Sequence, residues 1–406
     1  MSIVIVGAGQ AGAEVASSLR QGGYAEAITL IGSEPWAPYR RPPLSKTFLA
    51  GKASRDSLQL KPAGFYEKQQ IELRLGQTVT AIDRHARTVQ LAGGERLAYR
   101  QLVLATGGRA RPLNLPGAAA APIHLVRTLD DIERLQPAFR PGQRLLIVGG
   151  GYIGLEVAAV AVEAGLSVTV LEAAPRLLAR VAAPVLSSFY EQVHRERGVR
   201  IVTGAQLSGI ETDAGTLAVQ LADGQRHEAD LIVAGIGLLP NTELAEAAGL
   251  ALDNGIATDA YGQTSDPDIF AAGDCASHPN PLYGRRLRLE SVPNALEQAR
   301  AVAQTLLGKP QPYAPVPWFW SDQYDLKLQM AGLNEGYDQV VLRGDPQQRQ
   351  FSAFYLRAGQ VLAADSVNRP QEHQLAKRLV GERRILPAAA LADESVALKS
   401  LVEGSA

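Results

Sequence analysis

The chain has 406 residues, of which 46% are hydrophobic and 20% are charged, and its formal net charge is −1. This composition is typical of a folded globular protein and excludes wholesale disorder. Its length favours two or three domains of about 150 residues each. The near-neutral charge argues against nucleic-acid binding through bulk electrostatics.

A single cysteine, Cys275, excludes an intrachain disulfide and a four-thiolate metal site within these residues. The six histidines show no ligand spacing, so we expect no metal. No apolar run reaches the roughly 18 residues of a membrane-spanning helix, and residues 1–7 lack the layout of a signal peptide. We therefore expect a cytoplasmic protein without a membrane partner, in which any redox chemistry resides on a bound cofactor.

The first predicted elements form a strand–turn–helix–strand unit. The run Ile3–Val6 predicts a strand buried on both faces, residues 12–20 follow a helical pattern, and residues 28–31 predict a second strand. The same order returns later in the chain, in the predicted elements Arg144–Val148, 155–164 and Ser167–Glu172. This repeat predicts two βαβ dinucleotide-binding domains.

The elements after each repeat divide the chain further. An Ala/Pro-rich connector at 111–122 is typical of a hinge between domains. Further strands and helices are predicted at 231–239, 265–274 and 294–307, and after Pro317 an antiparallel meander and a helix at 326–330, 351–356, 361–367 and 371–384. We predict an α/β fold with two Rossmann-like domains and a C-terminal α+β domain with an antiparallel sheet. The expected bounds are 1–110 with 240–317 for a discontinuous first domain, 111–239 for the second and 318–406 for the third.

The first glycine motif is Gly7, Gly9 and Gly12, between a strand and a helix. These positions suit a tight turn, close backbone approach to a pyrophosphate and helix–strand packing, and the helix N-terminus favours phosphate. The acid that would bind the adenosine ribose is not at the strand end. Either Ser33 or Glu34 takes that role, unless Glu34 is only a solvated loop charge.

The second glycine motif is Gly149, Gly151 and Gly154, and here the strand-end acid is present as Glu172. A carboxylate accepts hydrogen bonds from ribose hydroxyls and repels a 2′-phosphate, which favours NAD(H) over NADP(H). The nearby Arg176 and Arg180 leave NADPH open. The turn of Gly235, Ile236 and Gly237 is a candidate to lie over the nicotinamide half of the bound NAD(H).

Two dinucleotide sites indicate hydride transfer between a nicotinamide and a flavin. We expect FAD on the first domain, because that domain resumes later in the chain. Ala105, Thr106 and Gly107 end a buried strand beside the first site, and Asp274 ends another and is a candidate partner of a ribityl hydroxyl. The alternative for Asp274 is a helix cap.

Several longer motifs carry a family resemblance. Arg41-Pro-Pro-Leu-Ser-Lys46, Gly-Gly-Gly-Tyr152-Ile-Gly-Leu-Glu156, Glu290-Ser-Val-Pro-Asn-Ala and Pro317-Trp-Phe-Trp320-Ser-Asp-Gln resemble the NADH-dependent ferredoxin reductases of bacterial cytochrome P450 and aromatic-ring dioxygenase systems. That family has the glutathione-reductase fold. The resemblance implies an FAD enzyme that takes hydride from NADH and passes electrons singly to a small [2Fe–2S] ferredoxin.

The resemblance also implies residue roles. Lys46 would lie near the flavin with Glu156 as its ion-pair partner, Tyr152 and Ile153 would lie at the nicotinamide, and Trp320 at the flavin edge. The alternatives are a purely structural ion pair and a core tryptophan. Glu156 is also a candidate NAD contact, and the further FAD contacts implied are Ala11, Arg41, Val79, Arg127 and Val292.

Disulfide reductases of the superfamily use a dithiol beside the flavin, and one cysteine cannot supply it. Electrons must therefore leave the flavin directly, and Cys275 is interpreted as a small buried residue. The resemblance implies an acidic ferredoxin, for which the candidate basic contacts are Arg285, Arg286, Arg288, Arg300 and Lys399. We expect a monomer.

Two other functions stay open. The chain is also compatible with a redox-sensing interaction protein similar to apoptosis-inducing factor, in which reduced flavin and bound NAD stabilise a partner-binding state. The other alternative is a membrane NADH:quinone reductase, although residues near the C-terminus show no basic amphipathic anchor.

Overall fold

The computed structural model describes residues 2–213 and 216–404. The chain divides into two compact units, each assembled from three separated segments. Unit 1 comprises Met1–Arg40, Asp56–Arg109 and Leu239–Phe319, and unit 2 comprises Arg41–Arg55, Ala110–Leu238 and Trp320–Ala406.

The strands, in chain order, are β1 Ile3–Val6, β2 Ile28–Gly32, β3 Ile71–Leu75, β4 Val79–Asp83, β5 Thr88–Leu91, β6 Arg96–Ala98, β7 Gln101–Leu104, β8 Gly108–Ala110, β9 Ile123–His124, β10 Arg144–Val148, β11 Ser167–Glu172, β12 Arg200–Thr203, β13 Leu207–Asp213, β14 Thr216–Leu221, β15 Arg226–Ala229, β16 Leu231–Ala234, β17 Leu238–Pro240, β18 Ile256–Ala257, β19 Ile269–Ala271, β20 Ala276–Asn280, β21 Arg285–Leu287, β22 Trp318–Gln323, β23 Leu326–Gly332, β24 Gln339–Asp345, β25 Gln350–Arg357 and β26 Gln360–Val367.

The α-helices are α1 Gln10–Gln21, α2 Phe65–Lys68, α3 Leu129–Leu135, α4 Tyr152–Glu163, α5 Pro184–Glu196, α6 Glu243–Ala247, α7 Val292–Leu306, α8 Pro370–Gly381, α9 Ala388–Ala392 and α10 Leu398–Glu403. Short 3₁₀ turns lie at Pro42–Ser45, Asp56–Leu58, Ala118–Ala120, Gln136–Ala138 and Pro346–Gln348.

Unit 1 is organised around a five-stranded parallel sheet in the order β19-β7-β1-β2-β3. β1 and β2 are buried along their whole length, as expected for strands covered on both faces. Helices α1 and α7 pack together, and Leu19 and Val302 contribute to the core beside the sheet. Smaller sheets β4-β5-β6 and β18-β20-β21 complete the unit.

Unit 2 repeats this design in a second five-stranded parallel sheet, β12-β11-β10-β16-β9. A three-stranded sheet, β13-β14-β15, shares a core with it, in which Val219 and Ile232 are fully buried. The C-terminal part of unit 2 forms a sheet in the order β22-β23-β26-β25-β24. Its pairs β23–β26, β26–β25 and β25–β24 are antiparallel.

The main differences from the predicted elements are at strand ends. The predicted strand 231–239 is two strands, β16 and β17, because Gly235–Gly237 interrupt it and Gly237 has φ +111°. The predicted strand 265–274 is only β19, and the helix over 371–384 is α8, which ends at Gly381. The structure groups the predicted second and third domains in one unit, and the three sets of domain bounds stay a prediction.

Candidate functional site

The first glycine motif connects β1 to α1 in unit 1. Gly7 has φ +113°, and a Cβ there would overlap the Ala105 carbonyl oxygen, while a Cβ on Gly12 would overlap the Gly7 carbonyl oxygen. A Cβ on Gly9 would meet no atom within 4 Å. Gly9 is also the N-cap of α1, and its neighbours leave the first N–H groups of that helix without a side-chain cap. The turn therefore offers open space and free donors, which fit a dinucleotide pyrophosphate.

The end of β2 lacks an acid because of packing. A Cβ on Gly32 would lie 2.6 Å from the Cβ of Ala8. Of the two predicted ribose contacts, Ser33 is exposed, whereas the Glu34 carboxylate accepts a hydrogen bond of 2.5 Å from the Tyr39 hydroxyl. Glu34 is thus an ordered, half-buried acid beside the motif, and the choice between the two stays open.

Two further strand ends meet the same edge of this sheet. β7 pairs with β1, and β19 pairs with β7 on its other side, both in parallel, so Ala105–Gly107 and Asp274 follow strands that end on the side of Gly7. The Thr106 hydroxyl donates to the Asn241 carbonyl at 2.6 Å, and the Asn241 amide donates back at 2.9 Å. This exchange fixes the loop after β7.

One buried donor beside this edge fits a polar ligand. The Gln298 side chain on α7 accepts from the Gly273 N–H at 2.9 Å, but its Nε2 has no hydrogen-bond partner within the described residues. A Cβ on Gly273 would lie 3.0 Å from the Cβ of Ala11, which explains the close approach of backbone there.

Val79 is buried at the start of β4, and Val292 begins α7.

The second glycine motif, in unit 2, has the same geometry. A Cβ on Gly149 would lie 2.5 Å from the Gly235 carbonyl oxygen, and one on Gly154 would overlap the Gly149 carbonyl oxygen. A Cβ on Gly151, the N-cap of α4, would meet nothing within 4 Å. The predicted cover residues Gly235–Gly237 thus lie against this turn, which fits a second dinucleotide.

Glu172 lies where β11 ends, beside this turn. Its carboxylate accepts from the Gly150 N–H at 2.6 Å and from the Ala174 N–H at 2.7 Å. Arg176 is committed elsewhere, to the Ala182 carbonyl and the Ser187 hydroxyl. A fixed acid and a nearby arginine that is already bonded both favour a ribose without a 2′-phosphate.

Lys46 and Glu156 form a buried ion pair in unit 2, with 2.6 Å between the Lys46 Nζ and the Glu156 Oε2. The same carboxylate oxygen accepts from the Ser45 hydroxyl at 2.5 Å, and Oε1 accepts from the Ser321 hydroxyl at 2.7 Å. The Glu156 side chain is 1% exposed and the Lys46 side chain 18%. The structure thus brings together two predicted residues, and it adds Ser45 and Ser321, which the sequence analysis missed.

The predicted aromatic residues lie in the same unit. The Tyr152 hydroxyl donates to the Met330 sulfur at 2.8 Å, and Ile153 is exposed at the start of α4. Trp320 is half-buried on β22 and points to the face opposite Ser321, because successive side chains of a strand alternate. Arg41 donates from Nη1 to the Arg127 carbonyl at 2.5 Å.

The predicted FAD contacts are divided between the units: Arg41, Lys46 and Arg127 belong to unit 2 and the others to unit 1. The contacts of all these residues with FAD and NAD(H) stay predictions.

The candidate basic residues mostly pair with acids of their own unit. Arg300 contacts Glu14 at 2.6 Å, and Lys399 contacts Glu403 at 3.5 Å. Arg286 and Arg288 contact Asp253 and Glu290, and Arg285 is exposed. Arg300 and Lys399 nevertheless keep more than half of their side-chain surface exposed.

Across residues 2–213 and 216–404, no cluster of three His, Cys, Asp or Glu side chains is placed to hold a metal ion. Of the helices in that part of the chain, none has both the length and the hydropathy needed to span a bilayer.

The chain belongs to the pyridine nucleotide-disulphide oxidoreductase family, whose model matches residues 1–299. The reductase C-terminal model matches residues 318–402. The family resemblance and the α/β fold class with a C-terminal antiparallel sheet are confirmed.

Relatives that match over nearly the whole chain identify a narrower group within this family. The putidaredoxin reductase of Pseudomonas putida is 50% identical over 99% of this chain and 96% of its own length. The rhodocoxin reductase of Rhodococcus erythropolis is 44% identical over 98% of this chain and 94% of its own. A solved covalent putidaredoxin reductase–putidaredoxin complex matches with a TM-score of 0.96 and 49% identity, over 99% of this chain and 98% of that one. The predicted enzyme class, a ferredoxin–NAD⁺ reductase with FAD and NAD(H) as cofactors, is confirmed.

Proposed function

We propose that this enzyme oxidises NADH and reduces a small [2Fe–2S] ferredoxin that supplies a cytochrome P450 or a similar oxygenase. The observation that carries the proposal is the pair of open glycine turns, Gly9 and Gly151, each at the start of a helix that follows a parallel strand. The chain has one cysteine, and Cys275 is fully buried, so no dithiol is available to carry electrons.

Each unit has a defined task in this proposal. Residues of the first motif bind the FAD pyrophosphate, and Ser33 or Glu34 contacts its adenosine ribose. Gly151 admits the NADH pyrophosphate, while Glu172 accepts hydrogen bonds from its ribose. Bound FAD would supply the chemistry that connects hydride transfer from NADH to single-electron transfer to a ferredoxin.

The ion pair and the aromatic residues complete the site. The Lys46 ammonium, held by Glu156, stabilises negative charge on the reduced cofactor. Ile153, which is exposed, and the ring of Tyr152 would hold the nicotinamide of NADH. Trp320 shields the flavin edge or couples it to the partner.

The partner surface is basic and the ferredoxin acidic in this proposal. Arg300 and Lys399 are its main contacts, because both are exposed and charged. The functional unit is a monomer in the cytoplasm, with the three domains at the predicted bounds. Light scattering of the purified enzyme measures the oligomeric state.

The decisive experiment is anaerobic stopped-flow mixing with NADH, followed by oxidised ferredoxin. We expect a rapid loss of flavin absorbance on mixing with NADH. Mixing with oxidised ferredoxin should then rapidly reoxidise the flavin. The proposal would be contradicted if the flavin absorbance fell slowly and left a long-lived NAD–flavin complex that ferredoxin does not reoxidise. That result would favour a redox-sensing protein.

The partner contact is tested with Arg300→Glu, which should raise the KM for ferredoxin without changing flavin reduction by NADH. Arg195→Glu is the matched control, because Arg195 is also exposed and paired with a glutamate, Glu191. Equal effects of both substitutions would contradict the placement of the partner surface.

A further inference from the structure

A chain of buried hydrogen bonds continues from the Lys46–Glu156 pair through unit 2. Ser321 Oγ is 2.7 Å from Glu156 Oε1, Gln323 Nε2 is 3.2 Å from Ser321 Oγ, and His194 Nε2 is 2.8 Å from Gln323 Oε1. His194 Nδ1 is 3.0 Å from the hydroxyl of Tyr324. The four residues between Tyr324 and Lys46 are each at most 2% exposed, so water does not compete for these bonds.

The direction of every bond follows from the carboxylate at the end. A carboxylate paired with an ammonium only accepts hydrogen bonds, so the Ser321 hydroxyl donates its hydrogen to Glu156. The Ser321 oxygen then accepts from the Gln323 amide nitrogen, which leaves the amide oxygen facing His194. That oxygen requires a hydrogen on His194 Nε2.

His194 meets this requirement as a neutral ring. Burial lowers the pKa of His194 to about 4, so the imidazole carries one proton at neutral pH. With the proton on Nε2, Nδ1 is free to accept from Tyr324, whose ring lies 5.1 Å from the Arg197 guanidinium carbon. Every hydrogen bond from Tyr324 through His194, Gln323 and Ser321 is therefore donated in the direction of Glu156.

We propose that Ser321, Gln323 and His194 are positioning residues that hold the Glu156 carboxylate aimed at Lys46. This inference depends on the proposed function, in which the Lys46 charge acts on the reduced cofactor. An amide passes a proton only through its imidic-acid form, so Gln323 makes the chain a fixed array of dipoles and not a proton path. The array places one donor, the Ser321 hydroxyl, at one carboxylate oxygen and leaves the other oxygen to Ser45 and Lys46.

The proton on His194 is a direct reporter of this array. The FAD-loaded full-length enzyme is labelled with [¹⁵N]histidine, and long-range ¹H–¹⁵N correlation distinguishes the two neutral tautomers. The His194 signals are identified by their loss in His194→Gln. We expect the Nε2–H tautomer of His194 in the wild type, in at least a tenfold excess.

Glu156→Gln tests whether the carboxylate sets the direction. The amide of the variant can donate to Ser321, so every hydrogen bond between residue 156 and His194 can reverse its direction. We therefore expect at least a tenfold shift of His194 towards the Nδ1–H tautomer. Glu163→Gln, on the same helix but half-exposed, is the control and should leave the tautomer unchanged. A wild-type Nδ1–H tautomer, or the same tautomer in wild type and Glu156→Gln, would overturn the proposal.

A second measurement tests positioning without relying on Glu156→Gln. We expect Ser321→Ala to slow flavin reduction by NADH at least threefold in single turnover, and Ser321→Thr to restore the rate. Ser352→Ala is the matched control: Ser352 is equally buried and donates to a glutamate, Glu372, at 2.6 Å. Equal rates for Ser321→Ala and the wild type would overturn the positioning role.

The two proposals fail separately. If ferredoxin is not reduced but His194 still responds to Glu156→Gln, the proposed function is wrong and the array stands. If ferredoxin is reduced at wild-type rates in Ser321→Ala and the His194 tautomer does not respond, the array is wrong and the function stands.

Discussion

Lys46 and Glu156 are 110 residues apart in the chain, yet the ammonium nitrogen lies 2.6 Å from the carboxylate oxygen. Glu156 is almost fully buried, and Ser45, Ser321 and Lys46 all donate to it. Such a pair gains little net stability when both partners are present, because both charges lose their hydration. Loss of one partner is costly, because the other charge stays buried and unpaired.

Lys46→Met should therefore lower the free energy of unfolding by about 3–5 kcal/mol. The double variant Lys46→Met/Glu156→Gln should recover a large part of that loss, because no isolated charge remains. Denaturant unfolding at a fixed FAD concentration measures both. Arg195→Met, at an exposed ion pair with Glu191, should cost no more than about 1 kcal/mol. Additive effects of Lys46→Met and Glu156→Gln would contradict the coupling.

The glycines of the first motif should separate binding from folding. Gly12→Ala should destabilise the apoprotein by about 1–3 kcal/mol, because its methyl group overlaps the Gly7 carbonyl. Gly9→Ala has room for its methyl group and should change apoprotein stability by no more than about 0.5 kcal/mol. Its FAD affinity should fall at least tenfold, since the methyl group occupies the space of the pyrophosphate. Melting curves of the apoprotein and FAD titrations by fluorescence decide this, and unaltered FAD binding by Gly9→Ala would show that the pyrophosphate lies elsewhere.

The glycine turns were predictable because their requirements are local. Gly7, Gly9 and Gly12 lie within six residues, and the buried strands before and after them have a composition typical of parallel sheets. The turn at 235–237 was also predicted from its two glycines, but the strand was still drawn through it to residue 239. A pattern of apolar residues does not show that Gly237 adopts a positive φ.

The network around Glu156 could be predicted only at its ends. Family motifs identify Lys46 and Glu156, whereas Ser321, Gln323 and His194 carry no local signal of a shared role. His194 lies on a helix and Gln323 on a strand 129 residues later, and only the tertiary fold brings them within 2.8 Å. The hydrogen bond from the Tyr39 hydroxyl to the Glu34 carboxylate was missed for the same reason. No spacing rule predicts a hydrogen bond between two side chains across a loop.

Glu172 should determine the choice between NADH and NADPH. Glu172→Ala removes the acceptor for the ribose hydroxyls, and we expect the KM for NADH to rise roughly tenfold or more, since a hydrogen bond to a charged group contributes about 1.5–3 kcal/mol. The KM for NADPH should fall, because a like charge near the 2′-phosphate is lost. Steady-state kinetics with both cofactors measure this. Glu163→Ala is the control for a general effect of charge, and an unchanged KM for NADH in Glu172→Ala would refute the ribose contact.

Asp365 should make stability depend on pH. Burial raises its pKa to about 7, and the Tyr355 hydroxyl donates to it at 2.5 Å. In the unfolded chain an aspartate has a pKa of about 3.9, so the folded state binds the proton more tightly. The stabilisation from this proton is complete below about pH 4 and is lost as the pH rises to about 7.

The test compares the wild type with Asp365→Asn, which cannot ionise. Between about pH 5 and pH 8 the wild type should lose about 2–3 kcal/mol relative to this variant. Guanidinium unfolding at both pH values gives the difference. Asp325→Asn, at an exposed aspartate, should follow the wild type. Parallel pH dependence of the wild type and Asp365→Asn would show that Asp365 does not titrate in this range.

The discontinuous build of unit 1 has a consequence for biosynthesis. β7 needs β19 as its outer neighbour, and β19 begins at Ile269, 165 residues after β7 ends at Leu104. At about 5–20 residues per second, the ribosome takes roughly 8 to 33 s to make that stretch. During this interval β7 presents an unpaired edge, so the nascent chain depends on chaperones, or on the slowness of encounters with other chains, to avoid aggregation.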